Sequence, residues 1–391
     1  MYIIHANNIN DLLQKACEEI TKCGTKIESR NGECSEIRPV AIEVCDPMKR
    51  TLLFPGRGNN PFASLFENLW VLAAKDNSIE HLKQFIPRAP DYSDDGRTWR
   101  AGYPERLRKF GFQEVDQIKY VYDTLKADTG SRQAVMNLWN ADLDCYDVKH
   151  PSELLKTGDR PCSQHLGFTI RDNVLDCLFL MRSNDAIFGL TGINFYEFTT
   201  IQEILAGMLG CEIGKFNYIS NSLHVYKAHY SKCKTLAEDT MSAVANSYGL
   251  EPFTFYDKDT VVDYDTYFKF LERIYNVYLY GVEEDMVKLR SLCKPMGGDF
   301  SGIMTDILLL LTLYKDLVIH PMSNYEVGRY LKDEYVFAMR HIRDTDLKLA
   351  CHWHIMKKFK YIDGGRAGLN GSALEIKDSL KYNGDFYNAD V

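Results

Sequence analysis

Residues 160–185 read RPCSQHLGFTIRDNVLDCLFLMRSND. The run has the pattern of a β-hairpin: one strand leads to Ile170, Arg171-Asp172-Asn173 makes the turn, and a second strand runs through Leu180. That topology sets Cys162 near the start of one strand and Arg182 near the end of its partner. A lone cysteine is usually a small buried hydrophobe, so its surroundings decide whether Cys162 is a nucleophile. His165 is a poor activator, because residues three apart in a strand point to opposite faces. Arg182 is the better one, since a fixed positive charge favours the thiolate. The polar run Arg182-Ser183-Asn184-Asp185 reads either as a solvated strand end or as part of a site.

The flanking sequence alternates between helix and strand patterns. DQIKYVYDTLKAD places Ile118, Val121, Tyr122 and Leu125 on one helical face and ends in the turn DTGS; QAVMNLWNA then reads as a short buried strand. Downstream, TTIQEILAGMLGCEIGKF predicts an amphipathic helix capped by Thr199 or Thr200 and stopped by Gly210. From about residue 26 to 230 the mixture implies an α+β layer structure. Beyond about residue 245 the character changes, and DTYFKFLERIYNVYLYGV, SGIMTDILLLLTLYKDLVI, NYEVGRYLKDEYVFAMRHI and DLKLACHWHIMKKF all read as helices. The chain therefore divides into a mixed domain over residues 1–245 and a helical C-terminal extension over 246–391.

Composition narrows the function classes. A chain of 391 residues that is 45% hydrophobic buries a full core, and its net charge of -8 argues against a polyanion-binding surface, so no nucleic-acid partner is expected. The eleven cysteines contain no CxxC pair, which points to a reducing compartment and away from a disulfide framework. MYIIHANNINDLLQKACEEI reads as an amphipathic helix carrying acids, not as an export signal. The apolar stretch IMTDILLLLTLYKDLVI is interrupted by Asp306, Lys315 and Asp316, so it reads as a buried helix and no membrane partner is expected. The expected location is the cytoplasm, or a host's cytoplasm if the protein is viral.

Several further residues carry possible chemistry. Glu67 interrupts the apolar helix ASLFENLWVL; it is either a helix-edge residue or a buried carboxyl of raised pKa suited to general acid–base work. His224 and Tyr226 in SLHVY share a face if that segment is extended. His352 and His354 in CHWHI diverge on a helix, so no metal site is expected. FPGRGNNP lacks the context of a phosphate loop and reads as a turn around Arg57.

In order and spacing these pieces resemble the thymidylate synthase family, which includes the pyrimidine nucleotide hydroxymethylases. The matching segments are SRNGE, FENLWVLAAKDN, WRAGYPERLR, DQIKYVYDTLKADTGSRQAVMNLWN, the hairpin itself, INFYEFTTIQEILAGMLG and SLHVY, covering about residues 28 to 226. The resemblance implies a thymidylate-synthase-like mixed β-sheet with flanking helices, followed here by the helical extension. It implies that Cys162 adds to C6 of a pyrimidine, making C5 nucleophilic toward a one-carbon unit on the cofactor 5,10-methylenetetrahydrofolate. Glu67 is implied as the proton shuttle, and Arg30, Arg182 and Ser183 as the 5′-phosphate binders. Arg132 is implied to act from a second subunit, hence a homodimer. Asp185 is implied to orient the base network, and His224 and Tyr226 to hold the ribose 3′-hydroxyl.

Asn194 is implied as the base reader, since an amide accepts from N3–H of uracil while donating to O4, whereas cytosine-specific relatives carry an aspartate there. The chain departs from the synthases in one extra residue before Asn194, in Ser163 after the nucleophile, and in Gln133 after Arg132. GYPERLR and SRNGE look more like the hydroxymethylase branch, and the long extension stands where synthases have a closing tail. The expectation is hydroxymethylation of dUMP, with thymidylate synthesis or dCMP hydroxymethylation as the alternatives and a non-catalytic nucleotide-binding protein behind them.

Overall fold

The computed structural model describes residues 1–74, 76–147, 149–150, 152–239, 249–256, 263–280, 300–319 and 322–360. The strands are β1 Tyr2–Ala6, β2 Thr25–Ser29, β3 Gly32–Ile37, β4 Val40–Val44, β5 Val135–Asn137, β6 Ser163–Arg171, β7 Val174–Met181, β8 Asn184–Asp185, β9 Glu212–Ser220 and β10 Leu223–Tyr226. The helices are α1 Ile9–Cys23, α2 Pro61–Ala73, α3 Leu82–Phe85, α4 Tyr103–Arg108, α5 Gln117–Ala127, α6 Ala141–Asp144, α7 Phe195–Leu209 and α8 Tyr230–Glu238. Further along come α9 Tyr264–Tyr280, α10 Phe300–Tyr314, α11 Asn324–Tyr330, α12 Val336–His341 and α13 Asp346–Lys360.

A six-stranded mixed sheet has the order β1-β4-β9-β7-β6-β5, and a four-stranded sheet the order β2-β3-β10-β8. The central hairpin forms as its sequence requires: Asp172 and Asn173 both take positive φ, the conformation a two-residue primed turn needs, and Arg171 pairs with Val174. A register shift between Ser163 and His165 kinks β6 beside Cys162. Leu175, Cys177, Phe179 and Met181 of β7 alternate into the core, where Phe179 meets Phe198 of α7 at 4.3 Å between ring centroids. Helix α5 buries Ile118, Val121, Tyr122 and Leu125, the four residues its periodicity selects.

Three local expectations are corrected. The chain does not begin as a helix: Tyr2–Ala6 form an edge strand, and Asn8 caps α1 by accepting from the backbone N–H groups of Asn10 and Asp11. Helix α7 does not start at Thr199 or Thr200 but at Phe195, continuing a wide π-type segment, Ala186–Asn194, that Asp185 caps. The threonine hydroxyls turn back to the carbonyls of Phe195 and Tyr196, a bond open to them inside a helix as well as at its cap. Gly210 does stop α7, in the left-handed conformation at φ 68°. FPGRGNNP is more than a turn, because Pro55–Arg57 is a helical turn whose Arg57 is buried and donates to the Ile187 carbonyl.

The predicted C-terminal helices form where the structure describes them. Their apolar faces join the core around α2: Tyr314 of α10 and His354 of α13 pack on Phe62, and Tyr275 of α9 on Phe66. No described helix is long and apolar enough to cross a membrane. The final stretch of the expected extension, residues 361–391, lies outside the described residues.

Candidate active site

Cys162 sits half-buried immediately before β6. The Arg182 backbone N–H donates to the Cys162 carbonyl at 3.0 Å, and its guanidinium donates to the carbonyls of Pro161 and Arg160 at 3.0 and 3.3 Å. Arg30, in the turn between β2 and β3, reaches across to the carbonyls of Thr157 and Gly158 at 3.3 and 3.1 Å. Burial pushes the thiol up, and Arg182 and then Arg30 pull it down; burial prevails, so the thiol lies above its ordinary value. Arg182 thus acts in the expected direction without making Cys162 a thiolate on its own. His165 is engaged elsewhere, with Asn137 at 2.8 Å.

The second sheet brings the remaining polar residues to the same end of the hairpin. Strand β10 runs parallel to β8 with His224 opposite Asp185. His224 lies 3.5 Å from the Ser183 hydroxyl and packs edge-on against Tyr226, with ring centroids 4.9 Å apart, so the two do share a face. The Tyr226 hydroxyl accepts from Asn31 at 3.2 Å. Asp185 accepts from the backbone N–H groups of Ile187 and Phe188, while its Oδ2 is buried and free of partners.

Residues Ala186–Asn194 form a π-type segment, and a widened turn of this kind is how a helix takes in an insertion such as the extra residue expected before Asn194. Asn194, at its end, accepts from the Asn184 amide at 3.2 Å and donates to Glu197 at 3.4 Å. Gly189 is required for this packing, because a Cβ there would lie 2.2 Å from the Asn184 side-chain oxygen. Glu67 is not a helix-edge residue. It is buried within α2 with Oε2 unpartnered, and desolvation pushes its carboxyl up to about 8.

Two residues of the site escaped the sequence reading. Glu197, only 1% exposed, is held well above the usual carboxylate range by burial and by the neighbouring Glu67. Its signal was present: like Glu67, it is a carboxyl interrupting an apolar run, GINFYEF. Tyr103 of α4 shares a hydrogen bond with Ser163 at 2.7 Å, and burial reinforced by Cys162 and Glu197 keeps its phenol protonated.

Arg132 does not join this cluster. With Ile170, Arg171, Asp172 and Asn173 it lines an open cavity of about 570 Å³ at the far end of the hairpin. The eight residues of strand from Cys162 to Ile170 put it roughly 27 Å away. His352 and His354 have separate partners, Tyr335 at 2.9 Å and the Asn59 carbonyl at 3.0 Å.

The mixed sheet, the cysteine at the mouth of its central hairpin and the buried glutamate of α2 define a class: the chain belongs to the thymidylate synthase family, whose model matches residues 12–266. Within that family it is 35% identical over 238 residues to the deoxyuridylate hydroxymethyltransferase of Bacillus phage SP01, an alignment covering 59% of this chain and 60% of that protein. It is 31% identical over 256 residues to the deoxyuridylate hydroxymethyltransferase of Pseudomonas phage M6, covering 65% of this chain and 70% of the other. A thymidylate synthase of Francisella philomiragia matches at 28% over 130 residues, covering 32% and 47%. The chain thus spans about three fifths of the SP01 relative's length.

Proposed function

We propose that this chain is a dUMP 5-hydroxymethyltransferase acting as a homodimer in the cytoplasm. The observation that carries the reading is an amide, Asn194, where a cytosine enzyme of this kind needs a carboxylate, held by Asn184 and by Glu197, the neighbour of Glu67. The higher identity to relatives named as hydroxymethyltransferases supports water, not hydride, as the final nucleophile.

Arg30 and Arg182 present guanidinium groups beside the nucleophile, where they bind the 5′-phosphate through forked, charge-assisted donors. His224 and Tyr226 hold the ribose, and Asp185 anchors the segment that carries Asn194. Cys162 attacks C6 of the base; its raised pKa means that the thiol loses its proton as substrate arrives, not before. Glu67, protonated at neutral pH, donates and recovers protons around the one-carbon unit. The half-buried Trp99, packed edge-on against Trp70 one turn along α2 from Glu67, is the aromatic residue we assign to the folate. Bound there, 5,10-methylenetetrahydrofolate supplies carbon at the oxidation level of formaldehyde.

Incubation with dUMP and methylenetetrahydrofolate, with dCMP in parallel, tests the reading by mass spectrometry of both products. The expected outcome is 5-hydroxymethyl-dUMP with tetrahydrofolate, little turnover of dCMP, and loss of at least about 10³-fold in Cys162→Ser. Methylated nucleotide with dihydrofolate would establish a thymidylate synthase instead.

A further inference from the structure

The site holds two buried carboxyls where the reaction proposed above assigns a task to only one. Glu67 projects from α2 and Glu197 from the first turn of α7, and the charge of either disfavours ionisation of the other. Glu67 is 7% exposed and Glu197 1%, and each has one oxygen, Oε2 and Oε1 respectively, that is fully buried without a hydrogen-bond partner. The other Glu197 oxygen accepts from Asn194 at 3.4 Å, which ties it to the residue that reads the base. Two buried carboxyl oxygens without a hydrogen-bond partner are costly unless a small polar molecule with donors and acceptors bridges them.

We infer that Glu197 is a second catalytic carboxyl of this site, which with Glu67 seats the water whose oxygen adds to the one-carbon unit. The inference rests on the hydroxymethyltransferase reading and deepens it. Once the carbon has been transferred, the base carries an exocyclic methylene at C5 and Cys162 at C6. The water oxygen forms a bond to that methylene carbon, and the C=C pair shifts through C5 and C4 onto O4. The water proton passes to the ionised member of the carboxyl pair. The enolate then collapses, C5=C6 forms, and the C6–S bond breaks to release the Cys162 thiolate. No oxidant or reductant is needed.

The pair suits this step because burial raises both carboxyls and their mutual repulsion prevents both from ionising near neutral pH. One member therefore donates a hydrogen bond to the water while the other, once ionised, accepts its proton. The titratable groups facing Glu197 are Glu67 from α2 and the phenol of Tyr103 from α4, with Cys162 beyond Tyr103.

The test compares the full-length wild type, Glu197→Gln and Glu197→Asp with [5-³H]dUMP and methylenetetrahydrofolate in the presence of 2-mercaptoethanol, from pH 5.5 to 9. Tritium release reports the steps up to the methylene; the nucleotide products report what then adds. In Glu197→Gln, tritium release should stay within a few-fold of wild type while hydroxymethyl product falls by about 10²-fold or more. The thiol adduct should take its place, and Glu197→Asp should lie between. Infrared titration of the ligand-free proteins gives an independent readout: wild type should keep two buried carboxylic-acid bands at neutral pH, and Glu197→Gln only the one that belongs to Glu67.

Unchanged product partition and pH profile in a wild type that makes hydroxymethyl-dUMP would overturn the role of Glu197 and leave the reading of the enzyme intact. Parallel loss of tritium release and product would also overturn it, marking Glu197 as structural. A wild type that makes methylated nucleotide and dihydrofolate would remove the reading and the inference together.

Discussion

Glu67 carries a cost that can be read in the stability of the protein. Its carboxyl ionises near pH 4.5 when unfolded but only near pH 8 in the fold, because burial disfavours the charged form. Between those values the folded chain holds a proton that the unfolded chain has released, so this residue's contribution to stability falls as pH rises from about 4.5 to about 8. Glu67→Gln keeps the shape and removes the titration. Its urea midpoint should match wild type near pH 4.5 and exceed it increasingly toward pH 8, while activity is lost. Equal midpoints across that range would mean that Glu67 is solvated and ionised, and unfit as a proton donor at neutral pH.

Helix α7 links the site to the C-terminal helices through one buried ion pair. Arg50 donates to Glu203 at 2.7 Å and to Thr200 at 2.8 Å, with both charged side chains almost wholly buried. The second Glu203 oxygen accepts from the backbone N–H groups of Phe255 and Tyr256, pinning the segment that leads into α9. Removing one partner strands the other's charge, so Arg50→Met should destabilise by about 3–5 kcal/mol in urea unfolding, and a cost below 1 kcal/mol would show that the pair is not integral. This connection was illegible in the sequence, since Arg50 and Glu203 lie 153 positions apart and no local pattern joins them. What was legible was local. Asp172-Asn173 gave the hairpin, the apolar spacing gave α5, and Gly210 gave the end of α7. Where two local signals competed, reading failed: Thr199 and Thr200 look like caps, but the cap is Asp185, upstream of a widened turn that no periodicity announces. The expected site residues came largely from family resemblance, and Glu197, which that resemblance did not supply, was not among them despite its position in an apolar run.

At the scale of the whole molecule, the six-stranded sheet is covered on one face by α7, while among the described residues Leu178 of β7 and Ile219 of β9 are exposed on the other. A sheet face with aliphatic side chains open to water invites a second copy. Arg132 supports the same arrangement, because roughly 27 Å of strand separates it from the nucleophile of its own chain and no side chain spans that distance. If two copies pack sheet to sheet, each hairpin's far end approaches the other's active site, and Arg132 supplies the phosphate contact that Gln133 does not. Arg132→Ala and Cys162→Ser, each nearly inactive alone, should then complement. In an equal mixture half the dimers are mixed, and each mixed dimer has one site containing both an intact Cys162 and an intact Arg132. About a quarter of wild-type activity should return on subunit exchange. Recovery to that level would place Arg132 in the neighbouring subunit's site, whereas a mixture no more active than its components would confine each active site to a single chain.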